Sequence, residues 1–298
     1  MTYKIAIASG KGGTGKTTVS VNLFHHFKNV KGEKVQLVDC DVEEPNDIIF
    51  FPNAILKKEL EVFQLIPEID KEKCTFCRKC VSYCEFNAIV VIPPVQFAEV
   101  SSSLCHSCGA CSVACDENAI TEKPAPIGKV SFYRQDEFNI TEGKLKIGSA
   151  MQTMLIKELK RLVPNGQDIV IYDAPPGTSC PVVESVSNAD YVVLVTEPTP
   201  FGLHDLKLMV ELLSDIRKPF GVIVNKSGLG SNTIYEYLEE NDIELLGEIP
   251  FNEKYAASYA AGDLLNDISP DISGIYERII EKLEQKILVY EGDNGYKR

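Results

Sequence analysis

The stretch GKGGTGKT at residues 10–17 decides the fold of this chain. It follows an apolar run at residues 4–8, and it precedes a segment in which Val19, Leu23 and Phe27 recur at helical spacing. A glycine-rich loop between a strand and a helix is the setting in which the G-x-x-x-x-G-K-T motif binds phosphate. Its backbone N–H groups converge on phosphate oxygens at the positive end of a helix dipole. The sequence therefore predicts a nucleotide site at this loop.

The same loop provides candidate ligands for a nucleotide and its magnesium ion. We expect Lys16 to reach the β- and γ-phosphates and the Thr17 hydroxyl to ligate Mg²⁺. Asp39 and Asp173 each end a predicted strand, where a carboxylate can hold the same ion directly or through water. The candidate nucleotide-binding residues of the loop and the following turn are Gly10, Lys11, Gly12, Gly13, Thr14, Gly15, Lys16, Thr17 and Thr18.

Predicted strands and helices alternate over most of the chain. The predicted helices cover residues 16–30, 151–163, 203–213, 233–239 and 274–289. The predicted strands cover residues 4–8, 35–38, 168–172, 191–195, 220–224 and 245–249, with a hairpin near residues 130–146. This alternation predicts an α/β fold with a mostly parallel sheet and helices on both faces.

Eight of the ten cysteines lie in a segment, residues 60–126, that interrupts the alternation. Residues 74–89 read C-x2-C-x2-C-x3-C-x2-N-A-I, and the same pattern begins again 31 residues later. This is the spacing of bacterial ferredoxins, in which the fourth cysteine of each run ligates the cluster of the other run. We therefore predict a small inserted α+β ferredoxin-like domain with two [4Fe–4S] clusters. Their ligands would be Cys74, Cys77, Cys80 and Cys115 for one, and Cys105, Cys108, Cys111 and Cys84 for the other.

Zinc is the alternative for so many cysteines, but zinc sites usually pair two C-x2-C units across a longer gap.

Clustered cysteines indicate metal ligands in a reducing compartment, and we expect a cytoplasmic protein. The net charge of −13 argues against binding to nucleic acid or to an anionic membrane. No apolar run approaches the ~18–20 residues that a membrane span needs.

The extra lysine Lys11, the pair Asp39-x-Asp41 and the stretch DAPPG at residues 173–177 together resemble the deviant Walker A ATPases. That class of P-loop NTPases includes MinD, ParA, the Mrp-type carriers and the nitrogenase iron protein. The resemblance covers roughly residues 1–46 and 151–261. Within the class, the chain looks closest to the MinD-like ATPases with an inserted ferredoxin domain. The resemblance implies a discontinuous P-loop ATPase domain formed by residues 1–59 and 127–298.

The resemblance also implies ATP hydrolysis in a nucleotide-sandwich homodimer. Lys11 would then reach the nucleotide of the partner subunit, and Asp41 would position the attacking water. Together with Lys16, these are the candidate catalytic residues. Asn225 matches the adenine-contacting asparagine of the family, and Pro250 belongs to its second adenine-side segment.

Cys180 lies at an offset from Asp173 similar to that of the cluster-ligating cysteine of the nitrogenase iron protein. The sequence leaves open whether Cys180 binds a metal or a transferred cluster, or is a small buried residue.

The predicted function is an ATP-dependent switch coupled to electron transfer through the two clusters, with a redox partner protein. The alternative is an ATP-dependent assembly or carrier protein for metalloclusters, whose partner is a client protein. A positioning ATPase of the MinD kind is a third hypothesis, and eight ferredoxin-type cysteines argue against it as a sufficient account.

Overall fold

The computed structural model describes residues 2–29, 31–135, 138–263 and 269–295, and the chain forms two compact units. The first unit contains residues 1–59, 131–144 and 156–298, and the second contains residues 60–130 and 145–155. The predicted insert, residues 60–126, falls inside the second unit. That unit also includes residues 127–130 and 145–155, which the sequence prediction gives to the ATPase domain.

Strands and helices alternate along the first unit, and two short helices lie in the second. The strands are β1 (Tyr3–Ala8), β2 (Val35–Asp39), β3 (Ile55–Ile69), β4 (Ile89–Ile92), β5 (Phe97–Val100), β6 (Ile120–Gln135), β7 (Phe138–Leu145), β8 (Ile169–Asp173), β9 (Tyr191–Thr196), β10 (Phe220–Ser227) and β11 (Leu245–Pro250). The helices are α1 (Lys16–Asn29), α2 (Lys79–Ser82), α3 (Ala110–Val113), α4 (Gln152–Leu162), α5 (Cys180–Val186), α6 (Pro200–Asp215), α7 (Thr233–Glu240), α8 (Glu253–Ala260) and α9 (Pro270–Gly295).

One nine-stranded sheet has the strand order β11-β10-β9-β1-β8-β2-β7-β6-β3. Every neighbouring pair from β11 to β7 is parallel. Asp173 of β8 is in register with Ile7 of β1 and with Asp39 of β2. The two acidic residues that end β2 and β8 therefore lie side by side at the carboxyl edge of the sheet, where open α/β sheets bind ligands.

Helices cover both faces of the central strands. Val193 of β9 packs in one hydrophobic cluster with Phe24 of α1 and Ile279 of α9. The next residue, Leu194, points to the opposite face because side chains alternate along a strand, and it lines a small cavity with Met209 of α6. Complete burial of each such side chain stabilises the fold by about 1.5–3 kcal/mol. The predicted α/β fold class, with a mostly parallel sheet covered on both sides, is confirmed.

The second unit shows the sequence repeat in its backbone. Left-handed backbone conformations recur at matching positions of the two runs, at Phe76 and Ser107 and again at Asn87 and Asn118. Helices α2 and α3 likewise each begin five residues after the first cysteine of their run, next to left-handed Arg78 and Gly109. Strands β4 and β5 form a separate antiparallel pair. The unit is thus α+β in content, and its assignment as a ferredoxin domain stays a prediction.

Several elements extend beyond the sequence prediction or were missed by it. Helix α6 begins three residues early, because the Thr199 hydroxyl accepts a hydrogen bond from the Gly202 N–H and Pro200 occupies the first turn. Strand β3, the first part of β6, and helices α5 and α8 were not predicted. The hairpin predicted near residues 130–146 overlaps the end of β6 and strand β7, which are neighbours in the sheet. Val30, the predicted end of the first helix, lies outside the described residues. Within the described ranges, no helix combines the length and the apolar character that crossing a membrane requires.

Candidate functional site

The phosphate loop between β1 and α1 is held in shape by glycine and by one asparagine. Gly13 and Gly15 have φ angles of 77° and 95°, in the left-handed region that favours glycine. The Asn225 side chain donates a hydrogen bond of 2.7 Å to the Thr14 carbonyl, and a Cβ atom on Gly15 would collide with the same amide. Residue 15 must therefore be glycine for two independent reasons, its backbone angle and the nearby amide group.

Hydroxyl groups of α1 bind the carboxylate that ends β8. Thr17 Oγ1 donates to Asp173 Oδ2 over 2.8 Å, and Ser20 Oγ donates to Asp173 Oδ1 over 2.9 Å. Burial raises the pKa of Asp173, and the nearby Lys16 ammonium opposes the rise. Lys16 is itself 8% exposed. The structure thus brings the predicted magnesium residues Thr17 and Asp173 together, beside the predicted phosphate-binding lysine.

Asp39 organises the loop that follows β2. Its carboxylate accepts backbone N–H groups from Asp41 at 3.0 Å, Asn46 at 2.8 Å and Asp47 at 3.1 Å. Burial raises the pKa of Asp39, and the neighbouring Asp173 raises it further. Burial also raises the pKa of Asp41, and the positive charge of the nearby Lys16 opposes this rise. The predicted catalytic residue Asp41 is therefore fixed near the phosphate loop by the carboxylate two residues before it.

Asp47 is a carboxylate that sequence reasoning missed. It starts a 3-10 turn, Asp47–Phe50, and it is completely buried. Neither of its carboxyl oxygens has a hydrogen-bond partner among the residues described. Burial raises its pKa well above the usual range, and Asp39 and Asp173 add to the rise. A polar residue directly before the apolar Ile48 and Ile49 was the only signal of this position in the sequence.

Glu197, at the end of β9, binds two lysines and was also missed by sequence reasoning. Its carboxylate lies 2.5 Å from the Lys11 ammonium and 2.9 Å from the Lys226 ammonium. Lys226 also donates to the Gly13 carbonyl over 2.9 Å. The side chain of Glu197 is only 12% exposed, so water screens these pairs weakly. In the single chain, Lys11 is thus bound to a residue of its own subunit.

A cavity of about 260 Å³ opens beside the phosphate loop. Asn225 and Pro250, the two predicted adenine-side residues, line it together with loop residues. Tyr255 and Tyr259 of the unpredicted helix α8 add aromatic surface. The complete lining is Gly13, Gly15, Thr18, Asn225, Lys226, Pro250, Phe251, Asn252, Tyr255, Ala256 and Tyr259.

The eight clustered cysteines of the second unit line two further cavities, four in each. One cavity is lined by Cys74, Cys77, Cys80 and Cys115. The other is lined by Cys84, Cys105, Cys108 and Cys111. Each set takes three cysteines from one run and one from the other, which is the grouping that the repeat predicts. Iron ligation by these sets stays a prediction.

Backbone N–H groups are directed at the cysteine sulfurs in the same way in both runs. The first cysteine of each run accepts from the residue two positions later, over 3.4 Å at Cys74 and 3.5 Å at Cys105. The fourth accepts from the residue four positions later, over 3.3 Å at both Cys84 and Cys115. Such hydrogen bonds stabilise a thiolate. Within the described part of the chain, no three His, Cys, Asp or Glu side chains are grouped around a single ion position.

The two remaining cysteines have opposite environments. Cys180 is exposed at the start of α5, whereas Cys40 is buried in the core. Burial raises the pKa of Cys40 well above that of a free thiol. Only Cys180 is therefore accessible to a metal or to a partner protein.

Sequence comparison relates nearly the whole chain to a nucleotide-binding family. The CobQ/CobB/MinD/ParA nucleotide binding domain matches residues 5–265. An uncharacterized protein of Methanocaldococcus jannaschii is 34% identical over 227 residues, which are 76% of this chain and 80% of that protein. A protein of Pyrococcus horikoshii named iron-sulfur cluster carrier protein is 26% identical over 312 residues, covering 98% of this chain and 89% of its own.

Comparison with solved structures supports the same fold. The cell division ATPase MinD of Pyrococcus furiosus has a TM-score of 0.59 at 17% identity, covering 96% of this chain and 99% of its own. MinD of Pyrococcus horikoshii, solved in complex with Mg-ADP, has a TM-score of 0.58 at 17% identity, covering 95% and 96%. At this level of identity, the likeness concerns the fold alone.

Proposed function

Because the chain belongs to the CobQ/CobB/MinD/ParA nucleotide-binding family, we propose that it is an ATP-hydrolysing switch that carries two [4Fe–4S] clusters. One observation carries the proposal beyond nucleotide binding. The eight cysteines of the repeat line two cavities with four sulfurs each, in the same chain as the phosphate loop. Two units with such different chemistry in one polypeptide suggest that the nucleotide state of one acts on the other.

The phosphate loop fits a nucleotide in its polar groups as well as in its shape. The Thr14 hydroxyl is buried, and its oxygen has no hydrogen-bond partner among the described residues. A phosphate oxygen at this loop would provide that partner. Lys16 would neutralise the β- and γ-phosphates, and Asn225 and Pro250 would contact the base from the adjoining cavity.

The donor set at the end of β8 fits a magnesium ion. Mg²⁺ prefers oxygen ligands and retains several of its waters. The Thr17 hydroxyl would be a direct ligand, with Asp173 as a direct or water-mediated one. Asp39 accepts three backbone N–H groups, so we assign it contact through water. Asp41 would orient the water that attacks the terminal phosphate.

A nucleotide-sandwich homodimer would require Lys11 to change its partner. In the single chain, its ammonium group is paired with Glu197 at 2.5 Å. To reach the nucleotide of a second subunit, Lys11 must leave this carboxylate, whereas Lys226 can remain and keep Glu197 neutralised. We propose that ATP-dependent pairing of two chains includes this exchange.

The cysteine cavities fit iron–sulfur clusters in donor chemistry and in hydrogen bonding. A [4Fe–4S] cluster needs one thiolate for each iron, arranged around a cavity. Four sulfurs line each cavity, and backbone N–H groups would help to hold the first and fourth as thiolates. When bound, such clusters supply one-electron redox chemistry.

The Asp41→Ala variant provides the test of coupling. We expect it to bind ATP without hydrolysing it, so it should accumulate as an ATP-bound dimer. Protein purified without oxygen should contain about eight irons per chain, and its dithionite-reduced EPR spectrum or midpoint potentials should change when ATP is added. Lys16→Ala is the control, and its spectrum should not respond.

Two zinc ions without iron would refute the clusters, and eight irons with no ATP response would refute the coupling. Hydrolysis by Asp41→Ala at the wild-type rate would refute the role of Asp41.

A carrier of iron–sulfur clusters is the second candidate function. Distant relatives that cover nearly the whole chain bear the name iron-sulfur cluster carrier protein. Cys180 is exposed and lies outside the two cavities, so it is accessible for transient binding. In this function, ATP would control loading and release of cargo at Cys180.

The Cys180→Ala variant separates the two functions. A carrier should hold labile iron beyond the two resident clusters, and this extra iron should be absent from Cys180→Ala. Ser179→Ala is a matched control, because Ser179 is the exposed neighbour of Cys180. Iron and sulfide analysis before and after a brief chelator wash makes the measurement. Equal labile iron in the wild type and in Cys180→Ala would contradict a carrier role for this cysteine.

A further inference from the structure

We infer that Asp47 is a third carboxylate of the magnesium site, where its oxygens accept hydrogen bonds from water on the ion. The inference deepens the proposed function and rests on it, because it concerns the Mg²⁺ that accompanies ATP. Neither the nucleotide motif nor the acidic pair at residues 39 and 41 points to this side chain.

The backbone fixes Asp47 at the carboxyl edge of the sheet. Its N–H donates to Asp39 Oδ2 over 3.1 Å, alongside the Asn46 N–H, which donates to the same oxygen. Asp39 is in register with Asp173 across the β2–β8 pair. Asp47 is therefore held at the same edge of the sheet as Asp39 and Asp173, and Asp173 is bonded to the Thr17 hydroxyl.

Asp47 differs from the other two carboxylates in having no donor. Asp39 accepts three backbone N–H groups, and Asp173 accepts two hydroxyls. Asp47 is 0% exposed, and both of its oxygens lack partners among the residues that the structure describes. A buried carboxylate without hydrogen bonds is costly and calls for an explanation.

The missing donor is one that water on a magnesium ion can supply. The Asp47 and Asp173 carboxyl groups lie close enough to share a hydrogen bond if one of them carries a proton. Two carboxylates cannot donate to each other, so a proton or a cation has to lie between such groups. Mg²⁺ keeps several waters whose O–H groups are donors, and oxygen-rich surroundings are those it prefers. Both Asp47 oxygens lack a donor among the described residues, and these waters would supply it.

Binding of Mn²⁺, a spectroscopic substitute for Mg²⁺, tests the inference directly. Free Mn²⁺ is followed by EPR during titration of ADP-loaded protein. Asp47→Asn keeps the size of the side chain and removes its charge, and we expect it to weaken Mn²⁺ binding about tenfold or more, as for other outer-sphere partners of a metal.

Glu43→Gln is the matched control, since it removes one negative charge from an exposed residue of the same loop. It should leave Mn²⁺ affinity within about twofold of the wild type, a change expected for a screened surface charge. Asp47→Ser, whose hydroxyl can donate to Asp173, replaces Asp47→Asn if the latter does not fold, and the same loss is expected.

The outcomes distinguish this inference from the proposed function. Wild-type Mn²⁺ affinity in the Asp47 variants, with normal ADP binding, would show that a shared proton satisfies Asp47 and would overturn the inference alone. A wild-type protein that binds neither ADP nor ATP would overturn the proposed function, and the inference with it.

Discussion

The Lys16→Ala variant is expected to lose ATP binding almost completely. Truncating one partner of a buried, hydrogen-bonded charge pair costs about 2–5 kcal/mol, which corresponds to roughly 30- to 5,000-fold in affinity. Lys16 is 8% exposed and is the ammonium group that opposes the charges of Asp41 and Asp173. Without it, phosphate would meet these carboxylates with no positive charge between them. Calorimetric titration with ATP and magnesium measures the loss.

Lys34→Ala is the control for that measurement, because Lys34 is an exposed lysine outside the phosphate loop. Circular dichroism should show that both variants are folded. Wild-type affinity for ATP in Lys16→Ala would mean that phosphate binds elsewhere, and it would remove the basis of the nucleotide site.

Double cysteine variants should reveal which sulfurs share a cluster. In Cys84→Ala/Cys105→Ala, both changes fall in one cavity, so the other set stays complete and about four of eight irons should remain. In Cys80→Ala/Cys84→Ala, the changes fall in different cavities, so both sets become incomplete and nearly all iron should be lost. Iron and sulfide analysis of protein purified without oxygen distinguishes the two.

Ligation within each run predicts the reverse pattern. The variant with both changes in the first run would then keep four irons, and the variant with one change in each run would lose both clusters. Cys180→Ala should retain both clusters in either case, because Cys180 lines neither cavity.

The parts of the site that follow from local backbone chemistry were predictable from the sequence. Glycine is the residue that most readily adopts left-handed backbone angles, so its positions in the phosphate loop predict such angles there. Gly13 and Gly15 do adopt them. The alternation of strands and helices predicts the parallel sheet, which in turn places Asp39 beside Asp173. The cysteine repeat likewise predicts the sets of four that line the two cavities.

The parts that depend on distant contacts were not predictable. Glu197 meets Lys11 across 186 residues of sequence, and nothing near either residue indicates the other. Asp47 resembles an ordinary loop acid until the fold buries it. Helix α8 is short, and its signal was the Asn252 side chain, which accepts the Tyr255 N–H over 3.0 Å as an N-cap.

Strand β3 was missed for a different reason. Its exposed side chains include both charged and apolar residues. The alternation of buried and exposed side chains is clear only near Val62 and Gln64, which are buried between exposed neighbours. Where most of a strand is exposed, hydrophobic alternation is a weak signal, and pairing with β6 decides the structure instead.

The division of the cysteines between the cavities has a consequence for how such a module could arise. In each cavity, three cysteines come from one run and the fourth comes from the other run. A peptide with a single run could therefore assemble a set of four cysteines only by binding a second copy of itself. Tandem duplication at a spacing of 31 residues puts that second copy on the same chain. A bimolecular encounter becomes an intramolecular one, and assembly no longer depends on the concentration of the protein.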